Sequence, residues 1–158
     1  MKAIILSAGQ GRRLLPLTES APKCAVDIHG RPLIDWQIDQ LMACGIEEVV
    51  VVTGFGAERV DTLLARRRER ASLRSLYNPF FEVADNLASC WLAREEMDQE
   101  FVLLNGDTLF EPAVLRRLLE SPVRPVTLAV DHKAHYDDDD MKVQLDARRL
   151  LAVGKDLP

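Results

Sequence analysis

The stretch LSAGQGRRLLPLTESAPK, Leu6 to Lys23, begins on the last residue of the apolar run AIIL, Ala3 to Leu6. It holds two closely spaced glycines, Gly9 and Gly11, the adjacent Arg12 and Arg13, and a lysine at position 23. Small residues let backbone N–H groups approach an anion while Arg and Lys neutralise it, so the stretch reads as a loop that holds phosphate. Pro16 and Pro22 oppose an ordinary helix here, which leaves a long, irregular, cationic loop after a strand. Two familiar phosphate loops do not fit. A dinucleotide fingerprint needs a third glycine where Leu14 stands, and G-x-x-x-x-G-K-[ST] is absent.

Outward from this loop, further apolar runs recur: VVVVT at Val49 to Thr53, FVLL at Phe101 to Leu104 and VTLAV at Val126 to Val130. Continuous rather than alternating, they predict strands covered on both faces. Helical patterns lie between them. Pro32 opens one that places Ile34, Ile38, Leu41 and Met42 on one face and closes at Gly45. Others run from Ala57 to Arg70, from Leu87 to Met97 and from Pro112 to Glu120, and MKV after the acidic run Asp137 to Asp140 begins another strand. Strands alternating with helices predict an α/β fold: a three-layer, doubly wound, mostly parallel sheet with its ligand beyond the carboxyl ends of the strands. The loop after Leu6, the turn after Thr53 and the NGD after Leu104 should then share one rim.

Bulk properties narrow the function. At 158 residues, 47% of them hydrophobic, the chain is expected to form a single domain, 1–158, with a real core. A net charge of −5 argues against nucleic-acid binding, which relies on a basic field. Cys24, Cys44 and Cys90 show neither disulfide nor zinc spacing, and a reducing cytoplasm is expected. The apolar run at the N-terminus falls far short of the roughly 20 residues that span a bilayer, so no membrane insertion is expected.

The order AIILSAGQGRRLLPLTESAPK, GRPLIDWQIDQLMACGIEEVVVVTGF and LLNGDTLF resembles the nucleotidyltransferases that join an NTP to a phosphorylated sugar or alcohol. NPFFEVADNLASCWLAR and DDDDMKV followed by VGKDLP look more narrowly like cytidylyltransferases for phospho-alcohols such as inositol 1-phosphate or phosphocholine. The resemblance implies a Rossmann-like nucleotidyltransferase fold whose nucleotide-binding half is complete and whose acceptor half is partial. It also implies Mg²⁺ as cofactor and an NTP (CTP by the narrower likeness) and a phosphorylated small molecule as partners; because family members run on past GKDLP, a C-terminally incomplete fold is expected, whose exposed sheet edge pairs with another copy. A sugar-1-phosphate uridylyl-, thymidylyl- or guanylyltransferase, or a nucleotide-binding module without turnover, stand as alternatives.

Roles then attach to residues. Arg13 can stabilise the departing phosphates through its bidentate fork, and Lys23 supplies a point charge near the α-phosphate. Asp107, after an apolar strand and Gly106, is the expected Mg²⁺ ligand, although Asp after NG also suits a turn. Leu6, Ala8, Gly9 and Gly11 form the nucleotide-binding loop. Asn78, Asn86 and Ser89, in a polar stretch between a strand and a helix, are candidates for the base edge, with Asn86 equally able to cap that helix. Lys142 and Lys155 are candidates for the acceptor phosphate, Lys142 alternatively screening the acidic run. Arg66 to Arg70 reads as a solvated helix face, and Trp36 and Trp91 as core or interface residues.

Overall fold

The computed structural model describes residues 1–67, 69, 71–83 and 85–157 as two compact units, Met1–Arg124 and Pro125–Pro158. In the first unit the order is β1 (Lys2–Ser7), β2 (Asp27–Ile28), β3 (Arg31–Pro32), α1 (Leu33–Met42), β4 (Glu48–Thr53), α2 (Ala57–Ala65), β5 (Ser72–Tyr77), α3 (Asn86–Leu92), β6 (Phe101–Asn105) and α4 (Pro112–Leu119). Four strands form a parallel sheet in the order β5-β4-β1-β6, with Ile4 opposite Val50 on one side and Leu103 on the other. From β1 the chain moves outward through β4 to β5, then returns to the other side of β1 as β6. The direction reverses between β1 and β6, which is where such sheets open a crevice.

The pleat of β1 explains the three layers. Ala3 and Ile5 point to one face, where Ile34, Ile38 and Leu41 of α1, Val60, Leu63 and Leu64 of α2 and Leu115 of α4 cover them. Ile4 and Leu6 point to the other, against Val52, Ala93 and Met97 on the side of α3. Burying such a side chain contributes about 1.5–3 kcal/mol, so a central strand apolar on both faces commits the chain to helices on both sides.

Several expectations change. Val126–Val130 forms no strand: Val126 and Val130 are exposed, and without a ladder partner β propensity alone does not hold an extended chain. The strand Ser72–Tyr77 lies at the sheet edge, half exposed, and lacks the continuous apolar run that marked the others. Helix α2 stops at Ala65; Arg67 is mostly buried, bonded to Asp39 and 3.5 Å from Asp35, rather than solvated, while Arg68 and Arg70 lie outside the described residues. The helix predicted over 87–97 divides into α3 and a 3₁₀ turn at Arg94–Glu96. Trp91 is 67% exposed beneath the Arg94 guanidinium rather than in a core.

At the end of the strands away from the crevice, Lys2 is buried within 3.3 Å of Glu96, 3.1 Å of Asp98 and 3.8 Å of Glu48, and Arg74 also bonds Glu96. Arg74 first, then Lys2, hold the Glu96 carboxyl below the usual glutamate range. The folded form therefore binds that proton less tightly than the unfolded one. Its stability contribution is complete above the ordinary glutamate value of about 4.3 and is lost as pH falls through the lower folded value. Thermal melts should show a midpoint falling steeply below about pH 4.3, and Glu96→Gln should flatten that slope while costing about 1 kcal/mol near neutrality. An unchanged slope would remove Glu96 as the cause.

In the second unit, β7 (Lys142–Asp146) and β8 (Arg149–Gly154) pair antiparallel, so the strand expected at MKV is present. Asp137 accepts from the N–H groups of Asp139 and Asp140, making the acidic run a self-capped turn.

Candidate functional site

The loop after β1 is tied down at several points. Gly11 takes a left-handed conformation (φ 75°) that opens the 3₁₀ turn Arg12–Leu14, and the buried Thr18 hydroxyl donates to its carbonyl at 2.9 Å. A Cβ at Gly11 would stand 2.5 Å from Cε and 2.8 Å from Cδ of Lys23, so the lysine stem lies flat against the glycine. The returning leg is anchored by Cys24, fully buried in the main core. Burial pushes its thiol up to about 11, against a hydrogen bond with Ser7, so Cys24 is an anchor and not a nucleophile. Ala8 is buried and its carbonyl accepts from Phe55 N–H at 2.8 Å, joining this loop to the turn after β4. Leu6 packs its side chain in the core and receives Gly106 N–H at 2.7 Å on its carbonyl.

These anchors direct Lys23 across the crevice. Its Nζ stands 2.6 Å from Oδ2 of Asp107, in the turn after β6, with the lysine 22% and the aspartate 42% exposed. Two residues 84 positions apart, one from the returning leg of the loop after β1 and one from the turn after β6, thus meet where a ligand would enter. Gly9 and Arg13 are exposed on the same loop, and a Cβ at Gly9 would meet nothing within 4 Å.

The polar stretch behaves differently from expectation. Asn78 and Ser89 are buried, Asn78 Nδ2 donating to Ser89 Oγ at 3.1 Å and its Oδ1 accepting from Phe80 N–H at 2.8 Å. Their polar atoms are engaged in shaping the turn after β5. Asp85, not Asn86, caps α3 by accepting from Leu87 N–H at 2.8 Å, because it stands in extended conformation one residue before the helix, of which Asn86 is already the first residue. Asn86 is exposed and donates to Oδ1 of Asn105 at 3.2 Å, linking the start of α3 to the end of β6. Asn105, which the sequence reading passed over, belongs to the same rim.

Lys142 and Lys155 lie in the second unit, at one end of its hairpin, where Lys142 pairs in register with Gly154. Lys142 Nζ donates to Leu157 O at 2.7 Å, and Lys155 Nζ lies 2.9 Å from Asp139. Lys133 and Lys155 make ion pairs with the acidic run, and Lys133 foremost, with a smaller contribution from the charge of Lys142, holds Asp140 below the usual aspartate range. An open groove of about 700 Å³ beside α3, lined by Val83, Leu87, Trp91 and Met97 among others, includes neither Lys23 nor Asp107. Among the described residues no cluster of three or more His, Cys, Asp or Glu could hold a metal by itself, and no helix is long and apolar enough to cross a membrane.

The sequence and the fold have counterparts among known proteins. The chain is 49% identical over 128 residues to CTP:phosphoglutamine cytidylyltransferase of Campylobacter jejuni, covering 77% of this chain and 49% of that protein. Among solved structures, the CTP:phosphocholine cytidylyltransferase of Streptococcus pneumoniae matches with a TM-score of 0.62 at 33% identity, over 71% of this chain and 49% of that one. The inositol-1-phosphate CTP transferase of T. maritima shares the fold, with a TM-score of 0.77 at 23% identity over 99% of this chain and 64% of that one. The chain spans about half or less of the length of the curated relatives it matches. The nucleotidyl transferase family model matches residues 2–124, the whole parallel sheet with the glycine loop and Asp107, and the chain belongs to that family.

Proposed function

We propose that this chain binds the triphosphate of an NTP, CTP in the first place, together with Mg²⁺ at the rim between β1 and β6. It transfers the nucleotidyl group to a phosphorylated small alcohol of the inositol phosphate or phosphocholine type and releases pyrophosphate. The observation that carries the reading is the 2.6 Å approach of Lys23 to Asp107 across the reversal point of the sheet. The likeness to proteins named as cytidylyltransferases supports CTP.

The residues fit a phosphate-borne cation. Mg²⁺ commonly takes one or two carboxylates and completes its octahedron with phosphate oxygens and water, and Asp107 offers one half-exposed carboxylate. When bound, the ion neutralises charge on the phosphates. The chain's own groups do the rest by positioning and electrostatics. A phosphate monoester has its second pKa at about 6, so the attacking oxygen is already ionised and no general base is needed. Lys23, released from Asp107, neutralises the α-phosphate and the incoming phosphate; Arg13 binds the departing pyrophosphate. The loop Ala8 to Gly11 leaves room for phosphate, with Leu6 as its scaffold. Asn86 offers the base edge an amide, while Asn78 and Ser89 hold the adjoining turn. Lys142 and Lys155 serve the acceptor phosphate. We include in this reading a reducing cytoplasm and a homo-oligomer that pairs through the outer edge of β6, the end strand of the four-stranded sheet, which equilibrium sedimentation tests.

Calorimetric titration with CTP, UTP, GTP, ATP and dTTP in Mg²⁺, followed by pyrophosphate release with phosphocholine and inositol 1-phosphate, tests the whole. CTP should bind most tightly. Preference for UTP, dTTP or GTP would move the chain to the sugar-1-phosphate transferases, nucleotide binding without pyrophosphate would make it a binding module, and no binding at all would overturn the reading.

A further inference from the structure

Gln37 interrupts the apolar stripe of α1 formed by Ile34, Ile38 and Leu41, and it is fully buried. Its side-chain Nε2 donates to the carbonyl of Asn105 at 2.9 Å and to the carbonyl of Thr108 at 2.8 Å. Those carbonyls belong to the first and last residues of one turn, closed by Thr108 N–H on Asn105 O at 3.2 Å, and Asp107 is the third of its four residues. Both amide protons are thus spent on the two ends of the segment that carries the carboxylate. Oε1 of Gln37 has no hydrogen-bond partner among the described residues. A buried amide with an unmatched carbonyl opposes folding, and Leu or Met would continue the stripe without that cost. Polar groups that break a local rule in this way belong with sites that need a fixed geometry.

We propose that Gln37 is a positioning residue for Asp107: it clasps the Asn105–Thr108 turn from behind so that the carboxylate is presented to a nucleotide-bound divalent cation. The inference rests on the proposed metal role of Asp107. With Gly106 seated against Ser7 and bonded to Leu6 O on the other side, the backbone of Asp107 is held from two directions. Only its side-chain torsions then remain to be set. Outer groups that orient a metal ligand typically change metal affinity by about 10–100-fold when removed.

The test uses the full chain with CTP and Mg²⁺. Gln37→Met keeps the volume and removes both donors. It should raise the Mg²⁺ midpoint for CTP binding about tenfold or more while leaving CTP affinity without Mg²⁺ essentially unchanged. In the wild-type chain, whose folding is not at stake, the Gln37 side-chain NH₂ resonances should shift when Mg²⁺ is added to the CTP complex, and should stay still in Asp107→Asn. If Asp107→Asn loses the Mg²⁺ response while Gln37→Met keeps the wild-type midpoint, the positioning role is overturned and the metal site stands. If Gln37→Met fails to fold, unmoved wild-type Gln37 resonances overturn it equally. If Asp107→Asn keeps the wild-type Mg²⁺ midpoint, the metal reading itself falls and this inference falls with it.

Discussion

Asp107→Asn is expected to lower Mg²⁺-dependent pyrophosphate release by about 10²–10³-fold or more, the scale reached when one group that stabilises moving charge is removed. The substitution keeps the size of the side chain and its place in the turn, so the fold should survive. It replaces a charged oxygen donor with a neutral amide and ends the ion pair with Lys23 that now stands at 2.6 Å. Two opposite effects on nucleotide binding follow. Without Mg²⁺, CTP should bind as well as before or better, because a negative charge facing the phosphates is gone and Lys23 is no longer engaged. With Mg²⁺, the gain in affinity that the ion confers on the wild-type chain should disappear. Calorimetry in the presence and absence of Mg²⁺ separates the two. A variant with wild-type Mg²⁺ dependence in both binding and release would show that the carboxylate is only a turn former.

Gly106→Ala should be a strongly damaging small change in the rim. An added Cβ would lie 2.5 Å from Oγ and 2.6 Å from Cβ of Ser7, and 2.9 Å from the carbonyl oxygen of Leu6. That carbonyl accepts Gly106 N–H at 2.7 Å, and β1 is hydrogen-bonded on both sides, so the backbone cannot withdraw. Overpacking of this kind costs about 1–3 kcal/mol, more where backbone must move, and here it also tilts the turn that presents Asp107. Denaturant melts should show the loss, and adding Ser7→Gly should recover part of it, leaving the Leu6 contact. Gly9→Ala is the matching control. Its Cβ meets nothing within 4 Å, so stability should hold while nucleotide binding weakens. Equal stability of Gly106→Ala and wild type would refute the close approach.

Much of this was written in the local sequence. Runs of β-branched residues without polar alternation marked β1, β4 and β6, since only strands covered on both faces tolerate them, and Pro32 and Pro112 marked two helix starts. The cationic glycine loop and the acid after Asn105-Gly106 stood out because the proposed phosphate and Mg²⁺ chemistry calls for those residue types at strand ends. Less visible was whatever depends on partners distant in the chain. Val126–Val130 has the composition of a strand but no ladder to join. Asn78 and Ser89 read as candidates for a base edge, and only folding shows that both are buried and joined by a hydrogen bond of 3.1 Å. Arg67 looks solvated until α1 supplies Asp35 and Asp39.

The sequence alone determined the layered α/β architecture and the chemical character of its rim, because hydrophobic periodicity and side-chain charge are local properties. Tertiary structure alone decided that Lys23 meets Asp107, that Gln37 grips the turn that carries Asp107, and that Asn86 pairs with Asn105. Those contacts join residues 19 to 84 positions apart, and their geometry follows from strand order and helix packing, which no short window of sequence contains.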